Sequence, residues 1–123
     1  MEEKNIKVVI IDDMPSITEL FGNYFSLAGF ASEVVDFNDP QKALEYVKDF
    51  SNNIDVIITD FRMPEVDGLD ILRVAPPRSL KIMVSGYLSD EIIDELNGMG
   101  AHSFEKPASM NSVISLIEDK FQL

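Results

Sequence analysis

The sequence predicts an α/β fold: a five-stranded parallel sheet held between two layers of helices, a (βα)5 three-layer sandwich. Two observations carry this. Five short apolar runs, residues 6–11, 31–37, 54–59, 80–85 and a weaker one at 102–105, alternate with helix-like stretches throughout the 123-residue chain. The first and third runs are nearly continuous β-branched stretches, the pattern of strands buried on both faces of a parallel sheet. Right-handed crossovers then place helices on both faces and leave a crevice outside the carboxyl ends of the strands.

Between the first two strands, Ile17, Leu20, Phe21, Tyr24, Phe25 and Ala28 recur at three-and-four spacing. Pro15 suits the first helical turn and Gly29 a C-terminal cap. A second helix starts at about Pro40, capped by Asp39, and runs through Ala43, Leu44 and Val47. Residues 68–74 make a short third helix, cut off by Pro76-Pro77, since proline cannot supply the next backbone donors. A fourth begins near Ser89 and buries Ile92, Ile93 and Leu96. The last follows Ser109 and sets Met110, Val113, Ile114, Ile117 and Phe121 on one stripe. Neither a repeat nor an interdomain linker interrupts this order, so residues 1–123 read as a single domain, with no output domain expected.

Charge and composition narrow the chemistry. Ten Lys and Arg stand against 22 Asp and Glu, a formal charge of −12, which repels phosphate backbones and anionic headgroups alike. Nucleic acid is not an expected partner. With no Cys and one His, thiolate sites and zinc cages are excluded, while oxygen-ligated cations remain possible. The longest apolar run, residues 8–11, cannot span a bilayer, and residues 1–5 lack a signal-peptide core. A cytoplasmic protein without membrane insertion is expected.

The strand ends hold the polar residues that packing does not explain. The first strand ends in Asp12-Asp13, the third in Asp60, the fourth in Ser85-Gly86 and the fifth in Lys106-Pro107. Three carboxylates, a hydroxyl and an ammonium thus converge on one crevice, a combination suited to a cation and a phosphoryl group. Two carboxylates about 4 Å apart repel by roughly 4 kcal/mol at an effective dielectric near 20, so three on one rim call for a neutralising cation. Mg²⁺ takes carboxylate, carbonyl and water oxygens and matches this supply. A screened carboxylate can also attack phosphorus, and Asp60, which ends the most apolar strand and precedes the open loop 61–68, is the best placed nucleophile.

These motifs, Ile10-Ile11-Asp12-Asp13, Asp60 with Met63-Pro64 and Asp67-Gly68, Ser85-Gly86, Gly100-Ala101 and Lys106-Pro107, occur in one order over essentially the whole chain. Together they resemble the receiver domain of two-component response regulators, in its single-domain, chemotaxis-type form. The resemblance implies a flavodoxin-like sheet of order 2-1-3-4-5. It implies Asp60 as phosphoacceptor, and Asp12, Asp13, Asp60 and the Arg62 carbonyl as ligands of Mg²⁺. Ser85 corresponds to the switch hydroxyl and Lys106 to the phosphoryl-contacting lysine, with a cis Lys106-Pro107 bond. The implied partners are a histidine kinase or phosphotransfer protein and a downstream protein target. In the same resemblance, Arg62 and Tyr87 occupy positions that border the route of hydrolytic water.

Two departures from the family pattern stand out. The position three before Lys106, usually aromatic, is Ser103, and Phe104 lies one later; the stretch 67–85 is also short, consistent with a truncated third helix. Asp67-Gly68 reads as a turn and helix entry, Phe21, Phe25 and Phe121 as core, and His102 as an exposed or capping residue. Two other readings stay open at this level. One is a Mg²⁺-dependent phosphohydrolase using an aspartyl intermediate, although such enzymes usually carry the nucleophile on the first strand with a second Asp two residues on, where Met14 stands here. The other is an interaction module that keeps the acidic pocket without cycling phosphate.

Overall fold

The computed structural model describes residues 5–107 and 110–123. Strands β1 (Asn5–Ile11), β2 (Ala31–Phe37), β3 (Val56–Thr59), β4 (Leu80–Ser85) and β5 (His102–Glu105) form one parallel sheet of order β2-β1-β3-β4-β5. Helices α1 (Pro15–Leu27), α2 (Pro40–Val47), α3 (Gly68–Val74), α4 (Asp90–Gly98) and α5 (Met110–Phe121) connect or follow them, and a 3₁₀ turn at Phe50–Asn52 precedes β3.

Side-chain alternation along the central strands divides the core in two. Val9, Ile11, Ile57 and Met83 face a layer that includes Ala43 and Val47 of α2, Leu69 and Leu72 of α3 and Leu96 of α4. Val8, Ile10, Ile58, Ile82 and Val84 face Phe21 and Phe25 of α1 and Val113 and Ile117 of α5. All four residues of β3 are buried, as its apolar run requires, and so are all six of β4, the polar Lys81 and Ser85 included, whereas the edge strand β2 is only partly covered.

Helix entries follow the sequence signals. Pro15 occupies the first turn of α1, and the Asp39 carboxylate accepts from the Gln41 and Lys42 N–H groups at the start of α2. Asp67 and Asp70 form a reciprocal capping box on α3, and the Ser89 hydroxyl accepts from Ile92 N–H on α4. The expected capping residue of α5, Ser109, lies outside the described residues.

Three local expectations are corrected. Gly29 does not cap α1: Ala28 ends the helix in an extended conformation, its N–H donating to Phe25 O, so no left-handed residue is needed there. Leu20 and Tyr24 are 48% and 41% exposed, and the buried positions of α1 are Thr18, Phe21 and Phe25. The helix rests on the sheet along a narrower stripe than the apolar spacing implied, and Thr18 is buried because its hydroxyl is bonded, donating to Pro15 O and accepting from the Asn38 amide. Third, β3 begins at Val56, two residues later than the apolar run. Ile54 is fully buried ahead of the ladder, and the Asp55 carboxylate turns back to accept from Lys7 N–H at 2.9 Å.

Candidate functional site

Strand register brings the polar strand ends together. Ile11 pairs with Thr59, so Asp12 and Asp60 leave adjacent strands side by side, and Asp60 N–H still donates to Ile11 O at 2.9 Å. Ser85 pairs with Glu105, and Lys106 N–H donates to Ser85 O at 2.7 Å, so the lysine leaves β5 beside the end of β4.

The Lys106 ammonium spans the two buried carboxylates, donating to Asp12 Oδ2 at 2.9 Å and to Asp60 Oδ2 at 3.2 Å. Their other oxygens are held by backbone: Asp12 Oδ1 accepts from Met14 N–H at 3.0 Å and Asp60 Oδ1 from Phe61 N–H at 2.7 Å. Asp13 is exposed, yet carboxylate oxygens of Asp12, Asp13 and Asp60 all lie within 4.8 Å of one another, a cluster compatible with a metal ion. Asp60, Arg62, Ser85, Gly86 and Tyr87 line an open hollow beside this cluster. Every candidate residue named from the sequence therefore falls at one end of the sheet, and the Lys106-Pro107 peptide bond is cis.

Burial raises the Asp12 carboxyl above its ordinary range; the Met14 hydrogen bond and Lys106 oppose this without cancelling it, and the Asp60 charge adds to it. For Lys106, burial alone would favour the neutral amine, but the hydrogen bond and charge of Asp12, with Asp60, outweigh it and raise its pKa. The pair is thus one cation shared between two carboxylates, with a third alongside.

Three positioning residues, Asn38, Thr59 and Gly68, lie outside the candidate site set. The Asn38 amide, just beyond β2, donates to Asp12 O at 2.8 Å and ties that backbone to Thr18. The Thr59 hydroxyl donates to Asp60 O at 2.8 Å. Gly68 presses against the same carbonyl: a Cβ there would lie 2.2 Å from Asp60 O and 2.8 Å from Met83 Cε. Only a residue without a side chain lets α3 begin this close to the end of β3, where Gly68 N–H also donates to Phe61 O at 2.8 Å. A polar residue at the end of β2 was a visible signal for Asn38; for Gly68 the sequence offered only a turn.

Phe104 packs in the α1–α5 layer with Val84 as its sheet partner, whereas Ser103 pairs with Met83, whose side chain faces the other layer. By strand alternation Ser85 belongs to the Met83 face, so Phe104 and Ser85 stand on opposite faces of the sheet. His102 is exposed at the start of β5, as expected.

The fold and this rim of acids, hydroxyl and lysine define a receiver-type phosphoacceptor domain. Residues 8–118 match the family model of the response regulator receiver domain, and the chain belongs to that family, whose place is in two-component signalling. Regulatory protein AtoC of Escherichia coli is 27% identical over 121 residues, covering 95% of this chain and 25% of that protein. A cyclic di-GMP phosphodiesterase of Thermotoga maritima is 28% identical over 107 residues, covering 84% of this chain and 27% of that protein. The chain thus spans about a quarter of the length of these curated relatives. Among solved structures, the receiver domain of Francisella response regulator 1452 superposes with a TM-score of 0.81 at 26% identity, covering 96% of this chain and 98% of that one. Among the described residues, no helix is long and apolar enough to cross a membrane.

Proposed function

We propose that Asp60 is the phosphoacceptor and that a phosphohistidine in a histidine kinase or phosphotransfer protein is the donor. An Asp60 carboxylate oxygen forms the new bond to phosphorus as the donor's N–P bond breaks, and the imidazole leaves with the bonding pair. The observation that carries this reading is the Lys106 ammonium bridging Asp12 and Asp60 in a cluster that also holds Asp13. Lys106 is a fixed positive charge beside the acceptor oxygen, suited to the charge that develops on a transferring phosphoryl group. Asp12, Asp13, Asp60 and the Arg62 carbonyl are the residues that would hold Mg²⁺. When bound, the ion supplies neutralisation of the carboxylates and of the phosphoryl oxygens.

Ser85, buried at the end of β4 and lining the same hollow, is the hydroxyl that meets the new dianion. Its movement would reshape the loop before α4 and bias a contact surface made by α4, β5 and α5 toward a downstream protein. With Phe104 on the opposite face of the sheet from Ser85, this coupling runs through the β4–α4 loop and not through an aromatic side chain. The reading places the domain in the cytoplasm, where kinase and target would meet it, and gives it no role on nucleic acid or within a membrane.

Intact-mass analysis after acetyl phosphate and Mg²⁺ tests this. One phosphoryl increment is expected in the wild type and none in Asp60→Asn. An increment retained in the variant overturns the assignment, and continuous turnover of a phosphate ester would favour a phosphohydrolase. Amide shifts in residues 85–107 on adding beryllofluoride test the coupling; an unchanged spectrum there refutes it.

A further inference from the structure

A second polar site lies at the other end of the same sheet. β4 carries Ser85 at the carboxylate rim and Lys81 near its start, four residues or roughly 13 Å away along the strand. Lys81 is 8% exposed, and its ammonium donates to the Pro76 and Ser79 carbonyls at 3.2 and 3.3 Å. Both acceptors are neutral, and among the described residues no carboxylate pairs with it. An ammonium has three donors, and buried cations are ordinarily paired with a counter-charge. Here the described residues supply two neutral acceptors and no counter-charge.

Lys81 lines an open pocket between the α3–β4 loop, the α4–β5 turn and the end of α5. Arg78, His102 and Lys120 line it too. Lys120 makes no ion pair among the described residues, and Arg78 is shared with Asp55 at 3.2 Å. Among the described residues Asp119 is the one carboxylate in the lining. In a chain of net charge −12, Lys81, Lys120 and Arg78 here stand against Asp119 and the Asp55 that pairs with Arg78, so the pocket keeps a small excess of positive charge. Leu80, Met99 and Leu116 supply apolar wall beside the charges.

We propose that this pocket binds a small organic anion, a phosphate ester or a carboxylate, with its acid group on Lys81 and Lys120 and its apolar body against Leu80, Met99 and Leu116. Burial lowers the pKa of Lys81, and an anion held beside the ammonium opposes that shift. The site is separate from the carboxylate rim and does not depend on the role proposed for Asp60.

The test is an amide-shift titration with phenyl phosphate and, separately, benzoate, in low-chloride buffer containing EDTA so that the carboxylate rim carries no divalent ion. Saturable shifts at residues 78–81, 99–102 and 116–120 are expected with at least one probe, and the probe that binds identifies the acid group. Lys81→Met should weaken binding about tenfold or more, the scale of losing a charged hydrogen bond from a buried site. The exposed Lys120→Met should weaken it by about two- to fivefold, and Asp119→Asn should tighten it by a similar factor. If Lys81→Met does not fold, the opposite responses of Lys120→Met and Asp119→Asn carry the test. Absence of saturable shifts at millimolar probe, or shifts confined to residues 12, 60, 85 and 106, overturns the proposal and leaves Lys81 as a clamp on the α3–β4 loop.

Discussion

Asp12 is the residue at which folding and function pull apart. Its carboxylate is 2% exposed and faces a second carboxylate across one shared lysine. Because its folded-state pKa is raised from the ordinary 3.8, the folded protein holds this proton more tightly than the unfolded chain does. Stability contributed at this position therefore falls as pH rises from about 3.8 through the raised value, and stays lower above it. Asp12→Asn removes that cost. Because Lys106 keeps Asp60 as a partner, we expect the metal-free variant to unfold at higher urea concentration than the wild type at pH 7. The difference should shrink as pH is lowered below the window, which paired denaturation curves at several pH values would read. Lys106 has the complementary behaviour: its raised pKa gives stability fully present below 10.5 and lost as pH climbs through the folded value.

At the scale of elements, the decisive contact is the entry of α3 against the end of β3. Gly68→Ala places a methyl 2.2 Å from Asp60 O, where Thr59 and the sheet leave little freedom. The expected loss is about 1–3 kcal/mol or more, together with slower phosphorylation, because the carbonyl that must shift belongs to the candidate acceptor. Urea midpoints and the rate of mass increase with acetyl phosphate measure the two effects. Gly29 provides the contrast. A glycine after a helical pattern reads as a left-handed cap, yet its φ is not positive and a Cβ there meets nothing within 4 Å. Gly29→Ala should be neutral or stabilising by about 0.4–1 kcal/mol, through the reduced freedom of the unfolded chain. A clear loss of stability would reinstate the cap. What the tertiary structure brings beside each glycine decides its tolerance of a side chain.

Across the whole molecule, net charge −12 and three clustered carboxylates predict that a divalent cation acts on the fold as well as on the chemistry. Mg²⁺ at ten times its dissociation constant should add about 1.4 kcal/mol of stability, since it binds the folded rim and not the unfolded chain. Thermal melts with and without Mg²⁺ measure this, with NaCl at matched ionic strength as the control for screening. Asp12→Asn should lose most of the increment. An equal rise in wild type and variant would mean that general screening, and not ligation at this rim, is responsible.

Strand alternation, helix stripes and turn residues act over a few neighbouring positions, so the (βα)5 order, the buried β3, the helix entry at Asp67-Gly68 and the helix starts at Asp39 and Ser89 were legible in the sequence alone. So was the gathering of Asp12, Asp13, Asp60, Ser85 and Lys106, because parallel strands align their carboxyl ends. Only the tertiary structure decided which oxygens Lys106 bridges, that Asn38 and Thr59 hold the backbones of Asp12 and Asp60, and that Gly68 must lack a side chain. It also decided that Phe104 turns from Ser85 and that Lys81 is buried against the Pro76 and Ser79 carbonyls. The physical reason is range: periodicity records which face of an element meets the core, whereas a close contact depends on the separation of chain segments that local sequence does not encode.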